Sequence, residues 1–188
     1  MNIYPVLIIF KILLIIALSF VSSCAVIEKY PNSWNDLIQA DSGCMDIAGN
    51  YYDKGVTASG NNIRIGWSLF PEIWPLRWTD KALVEIKKIS PDEIKLIYLL
   101  NNNVLSERVL SLKRGEFRCN ERGVYIDMPF HRTNSKMLYA GSWGKSYLSK
   151  DDFGDLYINA KITTIGLFLI IPLGGIDHIW GRFSVKKH

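Results

Sequence analysis

The chain has 188 residues, a formal net charge of +4, and 48% apolar against 21% charged side chains. That length suits one domain of ordinary size with a real core, and the mild charge is spread along the chain as on a solvated surface. The densest basic spot, Lys186-Lys187, is too short to mark a nucleic-acid binder, so that class is excluded.

From Ile3 to Val21 the only charge is Lys11, and the ten residues Ile12 to Val21 form an apolar core before the side chains shrink at Ser22-Ser23-Cys24. A basic residue, a short apolar core and small residues describe a secretory signal peptide over residues 1–23. The core after Lys11 is well short of the roughly 20 apolar residues that a spanning helix needs. Counted across Lys11 the run comes closer, so an uncleaved anchor stays open, as does an ordinary secreted protein. Val21-Ser22-Ser23-Cys24 resembles the bacterial lipobox. The resemblance implies diacylglycerol on the Cys24 sulfur, cleavage before it and acylation of the new amino terminus. Several acyl chains hold a protein stably at a membrane where one does not. Ala25 follows the cysteine, and by resemblance to lipoproteins of two-membrane bacteria this favours the outer membrane, facing the periplasm. Removing residues 1–23 leaves 165 residues and, without Lys11, a charge of +3.

Residues 24–43 read as the lipidated cysteine and a tether. Within them Pro31-Asn32-Ser33 is a turn or cap, and Trp34 to Ala40 is expected as a short helix. Residues 44–188 read as a single β-rich domain. It carries the other two cysteines, Cys44 and Cys119. In an oxidising periplasm a disulfide between them is expected, the alternative being two buried thiols that never meet. Ile47 to Tyr52 reads as the first strand, followed by an Asp53-Lys54-Gly55 turn. Leu83 to Lys87 alternates apolar with charged residues, and Ile94 to Leu100 puts Ile94, Leu96, Tyr98 and Leu100 on one face. Asn101-Asn102-Asn103 is a hairpin turn that tolerates positive φ, with Val104 to Leu112 as its partner strand. Phe117 and Cys119 share a short strand, and Val124, Ile126 and Met128 form the next face. Lys136 to Leu148 is strand-like, Asp151 to Asp155 is a turn, and Leu156, Ile158, Ala160 and Ile162 share a face. Ile165 to Ile171 is an apolar run, broken at Pro172-Leu173-Gly174-Gly175 before a last strand over Ile176 to Val185. The expected fold is all-β, an antiparallel barrel or strongly curved sheet of about seven or eight strands with a short N-terminal helix and an aromatic-rich flap.

The flap is the segment Gly66 to Trp78, which holds three of the six tryptophans. Trp67, Phe70, Trp74 and Trp78 are its candidate ligand or partner residues. Three readings compete: a helical flap that completes the core, the mouth of an apolar ligand cavity, or a surface patch for a partner or a membrane interface. Pro71 and Pro75 exclude a long helix.

No catalytic or metal site is expected. Asp127, His131 and Ser135 have acid–base–nucleophile types in order, but on a strand and the loop after it they splay apart, and a triad is recognised by geometry. Asp177 and His178 are strand neighbours that point to opposite faces. Asp151, Asp152 and Asp155 lack the spacing of a calcium loop and read as a solvated turn.

Cys44 to Tyr51, Gly115 to Cys119 and Trp180 to Phe183 are similar to landmarks of small uncharacterised bacterial lipoproteins, a resemblance that implies no activity and no cofactor. Gly49-Asn50-Tyr51 also resembles the glycine-x-tryptophan opening of lipocalins, with tyrosine in place of tryptophan. That resemblance implies that Arg182 stacks on the opening ring of Tyr51 as a cation–π pair. The expected function is a lipid-anchored, non-enzymatic envelope protein with a structural or interaction role and an envelope protein as partner. The alternative is a lipocalin-like carrier of an apolar or amphipathic small ligand.

Overall fold

The computed structural model describes residues 25–41, 43–73, 81–134, 138–168 and 171–187. The leader and Cys24, Trp74, Trp78, Ser135 and the terminal His188 lie outside the described residues.

The fold is all-β, built from two sheets. Strands β1 (Ala25–Ile27), β2 (Gly49–Tyr52), β3 (Lys54–Thr57) and β4 (Asn62–Arg64) lead into the helix α1 (Ile65–Leu69) and a 3-10 turn over Pro71–Ile73. Then follow β5 (Ala82–Ser90), β6 (Glu93–Leu100), β7 (Asn103–Ser111), β8 (Phe117–Asn120), β9 (Gly123–Asn134), β10 (Leu138–Lys150), β11 (Leu156–Phe168) and β12 (Ile171–Phe183). The first sheet runs β4-β3-β12-β11-β10-β9-β8, and β1 adds to β12 in parallel. The second runs β2-β5-β6-β7. Every other strand pair is antiparallel.

The barrel expectation is not met, because the sheets do not close on themselves. Closure ties strand number, tilt and stagger together. Here β9 to β12 have 12 or 13 residues, β5 to β7 have 8 or 9, and β2, β3, β4 and β8 have 3 or 4, so no single ladder can run around the molecule. The strand count also exceeds the seven or eight expected, because short strands flank the long ones. The sheets meet where the chain leaves β12. Tyr52 N–H donates to the Ser184 carbonyl at 3.0 Å, Lys186 N–H donates to the Asn50 carbonyl at 2.7 Å, and Tyr51 pairs with Val185.

One hydrophobic core draws on both sheets. Val84, Ile86, Leu96 and Tyr98 come from the second sheet, and Val124, Ile126, Leu148, Leu156, Ile158 and Phe183 from the first, with Ile65, Leu69 and Phe70 from α1 and its end. Their period-two spacing along each strand is the physical source of the two-layer arrangement.

Two N-terminal expectations change. Residues 34–40 form no helix: Ile38 N–H bonds the Lys150 carbonyl at 2.9 Å, Ala40 N–H bonds the Glu121 carbonyl at 2.7 Å, and Leu37 pairs with Asp151. A helix this short carries its nucleation cost with few bonds to offset it, and the free end of β10 offers the backbone better partners. The turn expected at Pro31 is present, closed by Trp34 N–H on the Pro31 carbonyl at 3.1 Å. The stretch from 25 to 41, expected as a tether, is bonded to the first sheet. β1 takes the edge of β12 beside Ile176–His178, and β3 takes the same edge beside Gly181 and Arg182. Glu28 bridges the gap between them. Its carboxylate accepts the Trp180 N–H at 3.1 Å and the Ser59 hydroxyl at 2.6 Å.

Candidate functional site

Among the described residues the buried carboxylates are Asp53, Asp151 and Asp155, and each sits at a joint between strands.

Asp53, between β2 and β3, is fully buried. Its Oδ1 accepts the Gly66 N–H at 2.9 Å, and its Oδ2 accepts Arg64 Nη1 and the Tyr98 hydroxyl, both at 3.1 Å. Burial, and then the Asp53 charge, push the Tyr98 hydroxyl well above its usual range. With three donors and no exposed surface, the carboxylate fixes the start of α1 against the second sheet and faces no solvent. In sequence this residue reads only as the first of a turn triplet; the signal that distinguishes it is a lone acid between two strands.

Asp151 and Asp155 close the β10–β11 turn. Asp151 Oδ1 accepts the Phe153 and Asp155 N–H groups at 3.0 and 2.9 Å, and its Oδ2 accepts Asn35 Nδ2 and the Tyr157 hydroxyl at 2.7 and 3.1 Å. Burial alone would raise this carboxyl, but the four donors together hold it below its ordinary value. Asp155 accepts Arg182 and the Val185 N–H. Two of the three acids read as a solvated turn are therefore buried and bonded, while Asp152 stays exposed.

Arg182 is thus held by Asp155, and the cation facing the Tyr51 ring is Lys150, with Nζ 6.0 Å from the centroid. The stacking expected from the lipocalin resemblance is replaced by this pair. Lys150 Nζ also donates to the Ala48 carbonyl at 2.7 Å, and burial lowers its basicity while Asp46 opposes the shift.

Cys44 and Cys119 form a disulfide, with Cα atoms 5.1 Å apart, across 75 positions of chain. Beside it Met45 N–H bonds the Asn120 carbonyl at 3.1 Å.

The aromatic segment is divided. Phe70 is fully buried and meets Tyr98 edge to face at 5.6 Å, so it belongs to the core. Trp67, within α1, is partly exposed. The two are not parts of one surface.

The remaining candidates are apart. Asp127 lies 3.9 Å from Arg118 and from Lys145, while His131 pairs in register with Ser142. His178 Nε2 is 2.6 Å from Asn159 Oδ1, and Asp177 pairs with Val26 and Ile162. Among the described residues no three His, Cys, Asp or Glu gather as metal ligands, and no helix is long and apolar enough to cross a membrane.

Two concavities are formed by described residues alone. One, beside the disulfide and lined by Met45, Ile47, Ile86, Ile94, Phe117 and Val124 among others, has a volume of about 20 Å³. The other is an open groove of about 430 Å³ lined by Lys54, Gly55, Val56, Asn62, Arg182 and Ser184. No family model, no curated protein and no solved structure matches the chain.

Proposed function

We propose that this chain is a lipid-anchored protein of the bacterial envelope, held by acyl chains on Cys24 at the outer membrane and facing the periplasm. Its role is structural or interactive rather than enzymatic. The anchor rests on the lipobox-like Val21-Ser22-Ser23-Cys24 at the end of an apolar leader. The Cys44–Cys119 bridge suits an oxidising compartment.

One observation carries the choice of a structural role over a carrier: among the described residues, the space between the sheets is filled. Tyr51, Phe70, Phe117, Phe183, Leu96 and Leu148 are all fully buried there, and the concavity beside the disulfide holds little more than a water. A carrier of an apolar ligand needs several hundred Å³ of apolar room. The groove of about 430 Å³ has the size, but Lys54, Asn62, Arg182 and Ser184 make its walls polar, which gives the carrier reading little support.

Native mass spectrometry of the protein purified gently from its own membranes tests this. A denatured mass carrying acyl groups, with a native spectrum of the bare lipoprotein or of a complex with another polypeptide, supports the reading. A stoichiometric small molecule lost on denaturation overturns it in favour of the carrier, and an unacylated mass ends the anchor.

A further inference from the structure

The four long strands β9 to β12 reach beyond the core at one end. The register fixes which residues share a face there. Ser146, Ala160 and Ile179 stand opposite one another on the face toward the second sheet. Trp143, Thr163 and Ile176 therefore share the outer face, as do Gly141, Ile165 and Gly174. Phe130 joins them. Its ring occupies the space where a Cβ on Gly141 would stand, and it lies 5.9 Å from the Trp143 ring. The rings near the other end of this face are covered: Tyr30 and Trp34 pack on Tyr157, and Tyr30 packs on Trp180. At the far end the described apolar side chains are exposed. Phe130 is 53% exposed, Ile165 52%, Ile176 41% and Trp143 38%.

Three features argue for one occupant. The first is where the leader ends. β1 runs parallel to β12, with Ala25 opposite Ile176, so the chain that enters β1 from Cys24 arrives at this end, five residues from the start of β12. The second is charge. One register step behind Trp143 and Ile176, the outer face carries Lys145 and Lys161 as direct neighbours, while Arg132, 5.7 Å over the Phe130 ring, is level with Ile165 one step ahead of Trp143. Asp127 is the acid that faces them. The third is depth. Trp143 and Thr163 stand five residues from Phe168, about 17 Å of strand, which is close to the thickness of half a bilayer. Tryptophan is favoured at the membrane–water interface, and lysines just outside it attract anionic head groups.

We infer that this end of the β9–β12 sheet dips into the leaflet that holds the anchor, with Phe130 and Ile165 toward the acyl chains, Trp143 and Ile176 level with each other at the interface, and Lys145, Lys161 and the long Arg132 side chain on the head groups. The protein is then fixed in orientation as well as in place: a lipid alone leaves it free to swing, and a second, rigid contact removes that freedom. This rests on the anchor reading for the position of the acyl chains at Cys24.

The test uses the full-length protein, purified from its own membranes and reconstituted into phosphatidylethanolamine–phosphatidylglycerol vesicles. Ile165→Cys is labelled with an environment-sensitive fluorophore, and Phe153→Cys, in the turn at the opposite end of the sheet and 69% exposed, serves as the reference. The unmutated protein taken through the same labelling is the blank. Nitroxides on the lipid acyl chains are expected to remove most of the fluorescence at 165 and little at 153, with iodide doing the reverse. Ile176→Cys repeats the measurement on the neighbouring strand if Ile165→Cys does not fold. A label at 165 as open to iodide as the one at 153 overturns the inference. So does a label shielded from both quenchers, which would mean that a second copy or another protein covers this face. The denatured mass of the same sample reads acylation separately. An unacylated mass ends the anchor reading, and the depth of the label still decides this one.

Discussion

Arg182 donates from Nε and Nη2 to one oxygen of Asp155, at 3.1 and 2.9 Å, while the other oxygen of that carboxylate accepts the Val185 N–H at 3.0 Å. One side chain on the β10–β11 turn thus holds both β12 and the segment that crosses from the first sheet to the second. Asp155→Ala removes all three bonds and strands a half-buried guanidinium. A loss of about 2–3 kcal/mol is expected, and Arg182→Ala, which leaves Val185 its partner, is expected to cost about half of that. Urea denaturation of the two variants checks the order; a larger loss for Arg182→Ala would contradict this account.

Phe70 and Trp67 are three residues apart and do different things. Phe70→Ala opens a cavity in the core and is expected to cost about 3–5 kcal/mol. Trp67→Ala, on the partly exposed side of α1, is expected to cost about 1 kcal/mol or less. Equal losses in thermal unfolding would show that the aromatic segment acts as one unit after all.

The disulfide spans 75 positions, and in the chain-entropy model a loop of that size contributes about 4 kcal/mol. The Cys44→Ser, Cys119→Ser double variant is expected to unfold at correspondingly lower denaturant. In the unmutated protein, a free-thiol assay under denaturing, non-reducing conditions should find neither Cys44 nor Cys119 reactive.

Asp151 sets an acid limit. Its folded carboxyl lies below the ordinary 3.8, because four donors outweigh the effect of burial. A depressed folded value means that the unfolded chain binds the proton first. The stabilisation is therefore whole above pH 3.8 and is lost as pH falls through the lower folded value. Asp151→Asn should lower stability at neutral pH by about 1–3 kcal/mol and flatten the acid limb between the two values. Melting temperatures from pH 2 to 6 measure both effects, and an unchanged acid limb would assign the limb to another carboxylate.

Local alternation was readable wherever a strand has one dry face. Ile94, Leu96 and Tyr98 are buried together on β6, as are Leu156, Ile158 and Ala160 on β11. The Asn101-Asn102 turn takes the positive φ that its residues tolerate, at 51° and 63°. Glycine and proline misled the reading of β12, which begins at Ile171 and runs through Pro172 and Gly174–Gly175. Proline is tolerated near the start of a strand, and glycine leaves room on a crowded face, as Gly141 does for the Phe130 ring. The N-terminal segment was the least legible. Its shape is set by Lys150, Glu121 and His178, far away in sequence, and no local pattern reports such partners. The buried Asp53 was hidden for the same reason, since its donors come from β4, α1 and β6.

The junction at Glu28 has a consequence in time. Its carboxylate meets Trp180 across 152 positions of chain, and the edge that receives β1 belongs to the last strand to be made. The first residues of the domain therefore dock last. Contacts so distant in sequence carry a large loop-closure entropy and form slowly. As the chain folds, the segment from Ala25 to Glu28 stays loose, and it stiffens only when β12 is in place to receive it.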